Sequence, residues 1–563
     1  MHPNRSFLLP KRDPWILIIS LIALAMMVPV VMIGASLFTQ SSHSWYHLAS
    51  TVLPEYIGNS LILMVGVGIG VLAIGVSTAW LVTSCQFPGG RWFEWLLLLP
   101  LAAPTYILAY LYTDTLEYFG PVQTLLRGIF GWQRATDYWF PNLRSLGGAI
   151  LLFSLTLYPY VYLLTRVAFL EQSTATLEAS RSLGCSPWRS FWLVALPLAR
   201  PAIATGTALA LMETLNDFGT VAYCSVSTFT TGIYRTWFGL GDRPGAVQLA
   251  AVLLLFIGAL LLMERRSRQQ TRYYQSLARP LAQSPYRLKG WRAAGAWLVC
   301  SVPVWLGLIL PVILLLAMTV RNAGVTLNPS FFMLSRNSLL LASITALLAM
   351  VIALVLAYGL RLHPRPLLQL EVQAATLGYA VPGAVIAVGT LIPLATLDNG
   401  IDSWMRQSFG LSTGLILSGT IFALIMAYLV RFLALAFGAI VSGLAKIRPS
   451  LDEASRSLGQ GPGQTLLAIH APLLRGSLFT AVMAVFVDVM KELPATLIIR
   501  PFNFDTLAVK VYQYAADERL VEAAAPALAI LLVGLLPVLW LSREIAAAGK
   551  SQSQLPTSSR PDR

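Results

Sequence analysis

Four carboxylates stand where a chain of this composition can least accommodate them. Glu213 and Asp217 interrupt the otherwise apolar run Pro201–Cys224, and Asp488 and Glu492 interrupt the run Gly476–Ile499. Acids inside a bilayer are costly, and their retention points by default to function. Their oxygens are hard ligands suited to hard cations, and in carriers they also serve as proton or cation relays. Each pair is spaced i, i+4, which on one continuous helix places both side chains on one face. The pairs correspond at an offset of 275, Glu213 with Asp488 and Asp217 with Glu492. A pseudo-twofold axis would turn both acidic faces towards a shared pathway. At a rise of 1.5 Å per residue, Glu213 lies roughly 24 Å and Asp217 about 30 Å beyond Pro197, in the outer half of a bilayer. Lys491 offers one of the acids a partner, so structural, gating and docking roles stay open beside substrate contact.

The elements that must position these acids are membrane spans. Of 563 residues, 56% are hydrophobic and 11% charged, with a mean hydropathy of +0.69. Soluble domains carry about 25% charged residues. Ten uncharged runs are long enough to cross a bilayer, among them Trp15–Phe38, Trp95–Tyr112, Val372–Leu397 and Leu411–Val430. With the two acid-bearing runs they predict an all-α protein of twelve spans, six per half. The first run exceeds a signal-peptide core, so it reads as an uncleaved helix.

The net charge of +14 is a topology signal rather than a nucleic-acid footprint. The connection Glu264–Arg292 holds eight Lys and Arg, and the loop Thr39–Gly58 holds none. Basic residues near span ends favour the cytoplasmic side, which places both termini and the basic connection there. The four cysteines and five histidines show no metal-ligand spacing. Gly549-Lys550-Ser551 lacks the first glycine of a P-loop, so no nucleotide cofactor is expected on this chain.

The string Glu-Ala-Ser-Arg-Ser-Leu-Gly occurs at Glu178–Gly184 and again at Glu453–Gly459. Pro187 with Pro462, Pro197 with Pro472 and Arg200 with Arg475 continue the match at the same offset of 275, while Asn59-Ser-Leu and Pro104 recur 278 residues on. These matches mark an internal duplication. An even number of spans per half makes the repeats parallel. Each polar loop reads as two short helices broken at Gly184 or Gly459, since glycine tolerates the left-handed C′ position. The second helix can begin at Pro187 or Pro462. Ser450-Leu-Asp-Glu453 fits a capping box.

These loops resemble the EAA loop of permeases in binding-protein-dependent ABC importers. The pattern reads Glu178-Ala179-Ser180…Gly184…Leu196-Pro197 and Glu453-Ala454-Ser455…Gly459…Ala471-Pro472, with Ser in place of the third alanine both times. The resemblance implies a type I importer permease whose loops each dock an ATPase subunit. Two copies of that ATPase would spend the ATP, and a periplasmic binding protein would deliver the substrate to a bacterial inner-membrane protein. The coupling residues it implies are Glu178, Ala179, Gly184 and Pro197 in one loop, and Glu453, Ala454, Gly459 and Pro472 in the other. The whole length is similar to the double-length permeases that import ferric iron, on the stretches Leu215-Asn-Asp-Phe-Gly-Thr-Val, Thr228–Arg235 and Lys491-Glu-Leu-Pro-Ala-Thr. Thiamine permeases share the fused architecture. From another class, a twelve-span carrier driven by an ion gradient would use the acids as relays, without a use for a duplicated loop. The expected organisation is a first repeat over 1–264 with its loop near 171–200, and a basic linker over 265–292. A second repeat follows over 293–545 with its loop near 446–475, and then a disordered tail over 546–563.

Overall fold

The computed structural model describes residues 14–36, 45–172, 180, 182–269 and 286–553. Among them, eleven helices are long and apolar enough to cross a bilayer, and a bent pair, Gly90–Ala102 with Thr105–Phe130, provides for a twelfth.

The bent pair corrects the straight span expected over Trp95–Tyr112. A 3-10 turn at Leu99–Ala102 ends at Ala103, which is extended (φ −93°, ψ 111°) because it precedes Pro104. The second repeat breaks the same way at Val381 (φ −89°, ψ 130°) ahead of Pro382. The expected run Val372–Leu397 is therefore split, and the spanning helix is Gly383–Phe409. The run expected over Leu411–Val430 is displaced as well, to Ile421–Leu444. Its helix continues through Arg431, whose charge had marked the end of the apolar run. Residues 411–418 instead form a loop held by acids of the preceding helix. Asp398 accepts from the backbone N–H groups of Leu417 and Ser418, and Asp402 from those of Thr413 and Gly414.

The duplication is visible in single hydrogen bonds. Asn59 donates to the carbonyl of Ser227 and Asn337 to that of Asp505, each 168 residues downstream. Ser145 and Thr420, 275 apart, cap equivalent helices by accepting from backbone N–H groups. The repeats are also intertwined. The first helix, Pro14–Ser36, packs against Pro366–Ala375 and Gly383–Phe409 of the second repeat. The first helix of the second repeat, Trp291–Arg321, leans on Leu99–Ala102 and Leu146–Glu171 of the first. A parallel pair of two-residue strands, Cys85–Gln86 with Tyr286–Arg287, ties the end of the basic linker back to the first repeat.

Four of the five π-helical turns among the described residues (Leu48–Val52, Phe191–Ala195, Trp305–Ile309 and Leu466–His470, but not Arg235–Gly239) end directly before a proline-containing pair: Leu53-Pro54, Leu196-Pro197, Leu310-Pro311 and Ala471-Pro472. A proline has no N–H to give the carbonyl four residues back, and a widened turn takes up the mismatch without breaking the helix. Pro197 and Pro472 thus sit within the continuous helices Pro187–Asn216 and Pro462–Lys491. At the C-terminus the last helix runs on to Ser553, beyond the 546 at which a disordered tail was expected. Ala546 to Ala548 supply strong helix formers there. The rest of that tail lies outside the described residues, as do 270–285 of the basic linker.

Candidate functional site

The two helices that follow the loops stop one residue short of the second acid in each pair. Asp217 (φ −68°, ψ 137°) and Glu492 (φ −71°, ψ 122°) are extended. The acids of a pair therefore do not share one helix face, as their i, i+4 spacing predicted. The cause is local competition for the carboxylate. Asp217 turns out of its helix to accept from Thr220 N (2.7 Å), Val221 N (3.3 Å) and Thr220 Oγ1 (3.0 Å) at the start of the next short helix. Glu492 likewise accepts from Ala495 N (3.1 Å), Thr496 N (3.2 Å) and Thr496 Oγ1 (2.9 Å). In both repeats the acid replaces backbone partners that a fresh helix start lacks.

The broken helices still bring all four acids, Glu213, Asp217, Asp488 and Glu492, to one cavity between the repeats. It has about 70 Å³ of room for water, and one water needs roughly 10–15 Å³ by this measure. A handful of waters fit, so a cation with a full hydration shell would have to shed part of it or widen the walls.

Three further residues of this cavity escaped the sequence reading. Arg431 donates Nη1 to Glu492 Oε1 (3.1 Å) and to Asn216 Oδ1 (2.8 Å), and Asn216 Oδ1 also accepts from Gly383 N (2.7 Å). Arg431 and Glu492 are almost fully buried, and Asn216 bridges the first repeat to the second. Gly383 makes this possible: a Cβ there would run into the Arg431 guanidinium and the Glu492 carboxylate. Tyr106, 4% exposed, lines the same cavity with its hydroxyl unbonded. The signal for Arg431 was present as a lone basic residue inside a strongly apolar stretch. Asn216 lies in the Leu215-Asn-Asp stretch that carries the family resemblance, and Tyr106 had no signal. On the other side Lys491 Nζ pairs with Asp488 Oδ1 at 2.8 Å. Four carboxylates against two cations leave a formal excess of two negative charges. Among the described residues no three His, Cys, Asp or Glu gather as a resident metal site.

The loops form the expected elbows where they are described. Glu178 and Ala179 lie outside the described residues. Glu453 and Ala454 are exposed on the helix Ser450–Ser457. Gly184 (φ +79°) and Gly459 (φ +78°) are left-handed, and Pro187 and Pro462 open the second arms. The expected capping box at Ser450 does not form. Pro449 holds the N-cap position and has no side chain to accept with, so Ser450 falls inside the helix. The serine that replaces alanine in the motif has a role in each elbow, bonding the first arm to the second: Ser180 with Ser190 (2.8 Å), and Ser455 with Thr465 (2.7 Å).

The second elbow carries a polar latch that the first does not share. Asp452 accepts from Arg361 Nε (2.9 Å) and lies 2.5 Å from His470 Nε2, while Arg361 also donates to the carbonyls of Leu444 and Ile447. At the places equivalent to Arg361 and His470 the first repeat has Thr83 and Ala195, and Trp80 packs edge-on against Phe169 and at a tilt against Phe191 instead. Burial raises the Asp452 pKa, but hydrogen bonds from Arg361 and His470 outweigh it and hold the group below the usual carboxylate range. A depressed acid contributes stability fully above its unfolded pKa of about 3.9 and loses it only as pH falls through the lower folded value. Asp452→Asn should therefore loosen the elbow at neutral pH, by about 1.5–3 kcal/mol for hydrogen bonds to a charged group. Amide hydrogen exchange over 446–475 would read this as faster exchange, and unchanged protection would remove the latch from the account.

A membrane protein of two parallel six-span repeats, each with an elbow ahead of an acid-bearing helix, defines a permease architecture. The chain belongs to the family described as binding-protein-dependent transport system inner membrane component, which matches residues 71–273. It is 26% identical to the Fe(3+)-transport system permease protein FbpB 2 of Haemophilus influenzae, over 95% of this chain and 99% of that protein. It is 31% identical to the molybdenum transport system permease protein ModB of Escherichia coli, over 34% of this chain and 81% of ModB. Identity to the sulfate transport system permease protein CysT of Escherichia coli is 27%, over 35% of this chain and 70% of CysT. The single-length relatives align with about one repeat's worth of the chain, as a fused double permease requires. The chain is a multi-pass importer permease, and these relatives are permease subunits of transport systems.

Proposed function

We propose that this permease carries ferric iron, received from a periplasmic binding protein, across the bacterial inner membrane into the cytoplasm. The observation that carries the reading is the cavity between the repeats, with four carboxylates, two cations and phenol oxygens from Tyr106, Tyr160 and Tyr379. Such an excess of hard oxygen donors suits a hard cation and repels a dianion such as sulfate. Full-length similarity to a ferric permease supports the same choice.

In this reading Glu213, Asp217, Asp488 and Glu492 line the substrate pathway. The elbow residues Glu178, Ala179, Gly184 and Pro197, and Glu453, Ala454, Gly459 and Pro472, transmit motion from two ATPase subunits. Leu183 and Leu458, equivalent and more than four-fifths exposed beside the left-handed glycines, offer each subunit an apolar contact. This chain binds no nucleotide, and both of its termini face the cytoplasm. ATP-driven closure of the partner dimer draws the elbows together, and it can shift the permease only through a difference in affinity for its two states.

Cells lacking their own ferric uptake, expressing this chain with its ATPase and binding protein, provide the test. Labelled ferric iron should accumulate at least tenfold above a control with a hydrolysis-defective ATPase, and labelled molybdate, sulfate and thiamine should not. Accumulation of thiamine or an oxyanion instead would keep the importer and overturn the substrate.

A further inference from the structure

The cavity's charges are distributed unevenly across the pseudo-twofold axis. Every second-repeat acid has a cation of its own, Asp488 with Lys491 and Glu492 with Arg431. At the corresponding positions the first repeat has Asn216 for Lys491 and Thr156 for Arg431. Thr156 bonds instead to Thr105, the counterpart of Gly383. Among the described residues neither Glu213 nor Asp217 forms a direct ion pair: Asp217 is held by hydrogen bonds from Thr220 and Val221, and the Glu213 carboxylate, which accepts no hydrogen bond, feels Lys491 only at longer range. The two cavity acids left without a direct counter-cation thus both belong to the first repeat.

Two polar groups at the cavity add to this. The Tyr106 hydroxyl has no hydrogen-bond partner and belongs to the first repeat, where the second has Ala384. The Nε of Arg431, a residue 5% exposed, is also unbonded. An unbonded buried hydroxyl costs free energy until something bonds it. Beside Asp217, and in the same cavity as Glu213, both without a direct counter-cation, it fits a third oxygen ligand for a cation.

We propose that the cargo cation is taken on one side of the cavity only, by Glu213 and Asp217 with the Tyr106 oxygen. Lys491 and Arg431 act as tethered counter-cations that close the second-repeat acids to it. This rests on the cavity being the cargo pathway and names which half of it binds. Arg431 gains a second role, since its bond to Asn216 holds the unloaded repeats together at the rim of the site. A trivalent cation arriving beside Asn216 would repel the guanidinium and weaken that bridge, linking loading to separation of the halves.

The test is equilibrium binding of Tb³⁺, a hard trivalent probe whose luminescence is sensitised by nearby tyrosines, to the full transporter complex in lipid nanodiscs. Glu213→Gln and Asp488→Asn change the net charge of the cavity equally and occupy equivalent positions. One-sided binding predicts that Glu213→Gln weakens Tb³⁺ affinity at least tenfold more than Asp488→Asn. Asn216→Lys, which places a lysine three residues after Glu213 as Lys491 follows Asp488, should weaken binding without removing a carboxylate. Equal losses from the two acid variants would overturn the one-sided site while leaving the cavity as a shared cation pathway. Tb³⁺ affinity indifferent to every cavity variant, in a complex that still imports iron, would overturn both.

Discussion

Replacing Glu492 with alanine is expected to destabilise the folded permease by about 3–5 kcal/mol, the cost of leaving one partner of a buried ion pair uncompensated. Arg431 and Glu492 have side chains only 6% and 2% exposed, so the few waters that fit the cavity replace the lost partner only in part. The substitution also strips acceptors from the N–H groups of Ala495 and Thr496 and from the Thr496 hydroxyl. The short helix Pro494–Ile499 should fray with them. Thermal unfolding in detergent would show a lower midpoint and a smaller monodisperse fraction. Exchanging both partners for leucine should recover part of the loss, because replacing a whole buried pair by apolar groups is often neutral. The double-mutant cycle then isolates the pair from the caps. A Glu492→Ala variant as stable as the parent would show that the pair is solvated and that the cavity is far wetter than described.

The second large effect concerns coupling. Gly459→Pro should reduce ATP-driven uptake more than tenfold while the protein still inserts. Gly459 has φ +78°, whereas proline is fixed near −65°, so the first arm of the elbow cannot end where it does. No Cβ contact lies within 4 Å of Gly459, which makes the conflict one of backbone conformation and not of crowding. Gly459→Ala, strained but tolerated in the left-handed region, should give an intermediate loss. The permease should remain folded, because the elbow projects from the helices rather than lying among them, and co-purification with the ATPase should fall in step with uptake. Normal coupling in the proline variant would mean that the elbow's geometry is not what transmits motion.

What was legible in the sequence follows from the physics of each signal. Hydropathy located most of the spans, since a bilayer demands long apolar runs whatever the fold, but it misplaced those over Trp95–Tyr112, Val372–Leu397 and Leu411–Val430. Repeated identities located the elbows, and the glycines and prolines there took the conformations that their backbone chemistry dictates. The acids were found because charge is conspicuous against lipid. The error came in treating each pair as part of one continuous helix. Helix periodicity says nothing about where a helix ends when its last carboxylate has a better use capping the next one. Arg431 was misread for a related reason. A lone cation ends an apolar run in any hydropathy profile, and only tertiary structure reveals that Glu492, 61 residues away, neutralises it. Pro104 and its counterpart 278 residues on, Pro382, are visible as repeat matches, yet their effect on the spans depends on the extended residue before each. The exchange of first helices between repeats left no trace in sequence, because a helix facing its own repeat and one facing the other present the same apolar surface.

The most direct measurement of the central claim is transport in proteoliposomes containing this permease, its ATPase and iron-loaded binding protein. Labelled ferric iron should cross to the ATPase-bearing side only when ATP is hydrolysed, and Glu213→Gln should slow entry without lowering ATPase binding. Entry of iron at the same rate with a hydrolysis-defective ATPase, or no entry of iron alongside ATP-driven entry of another solute, would contradict it.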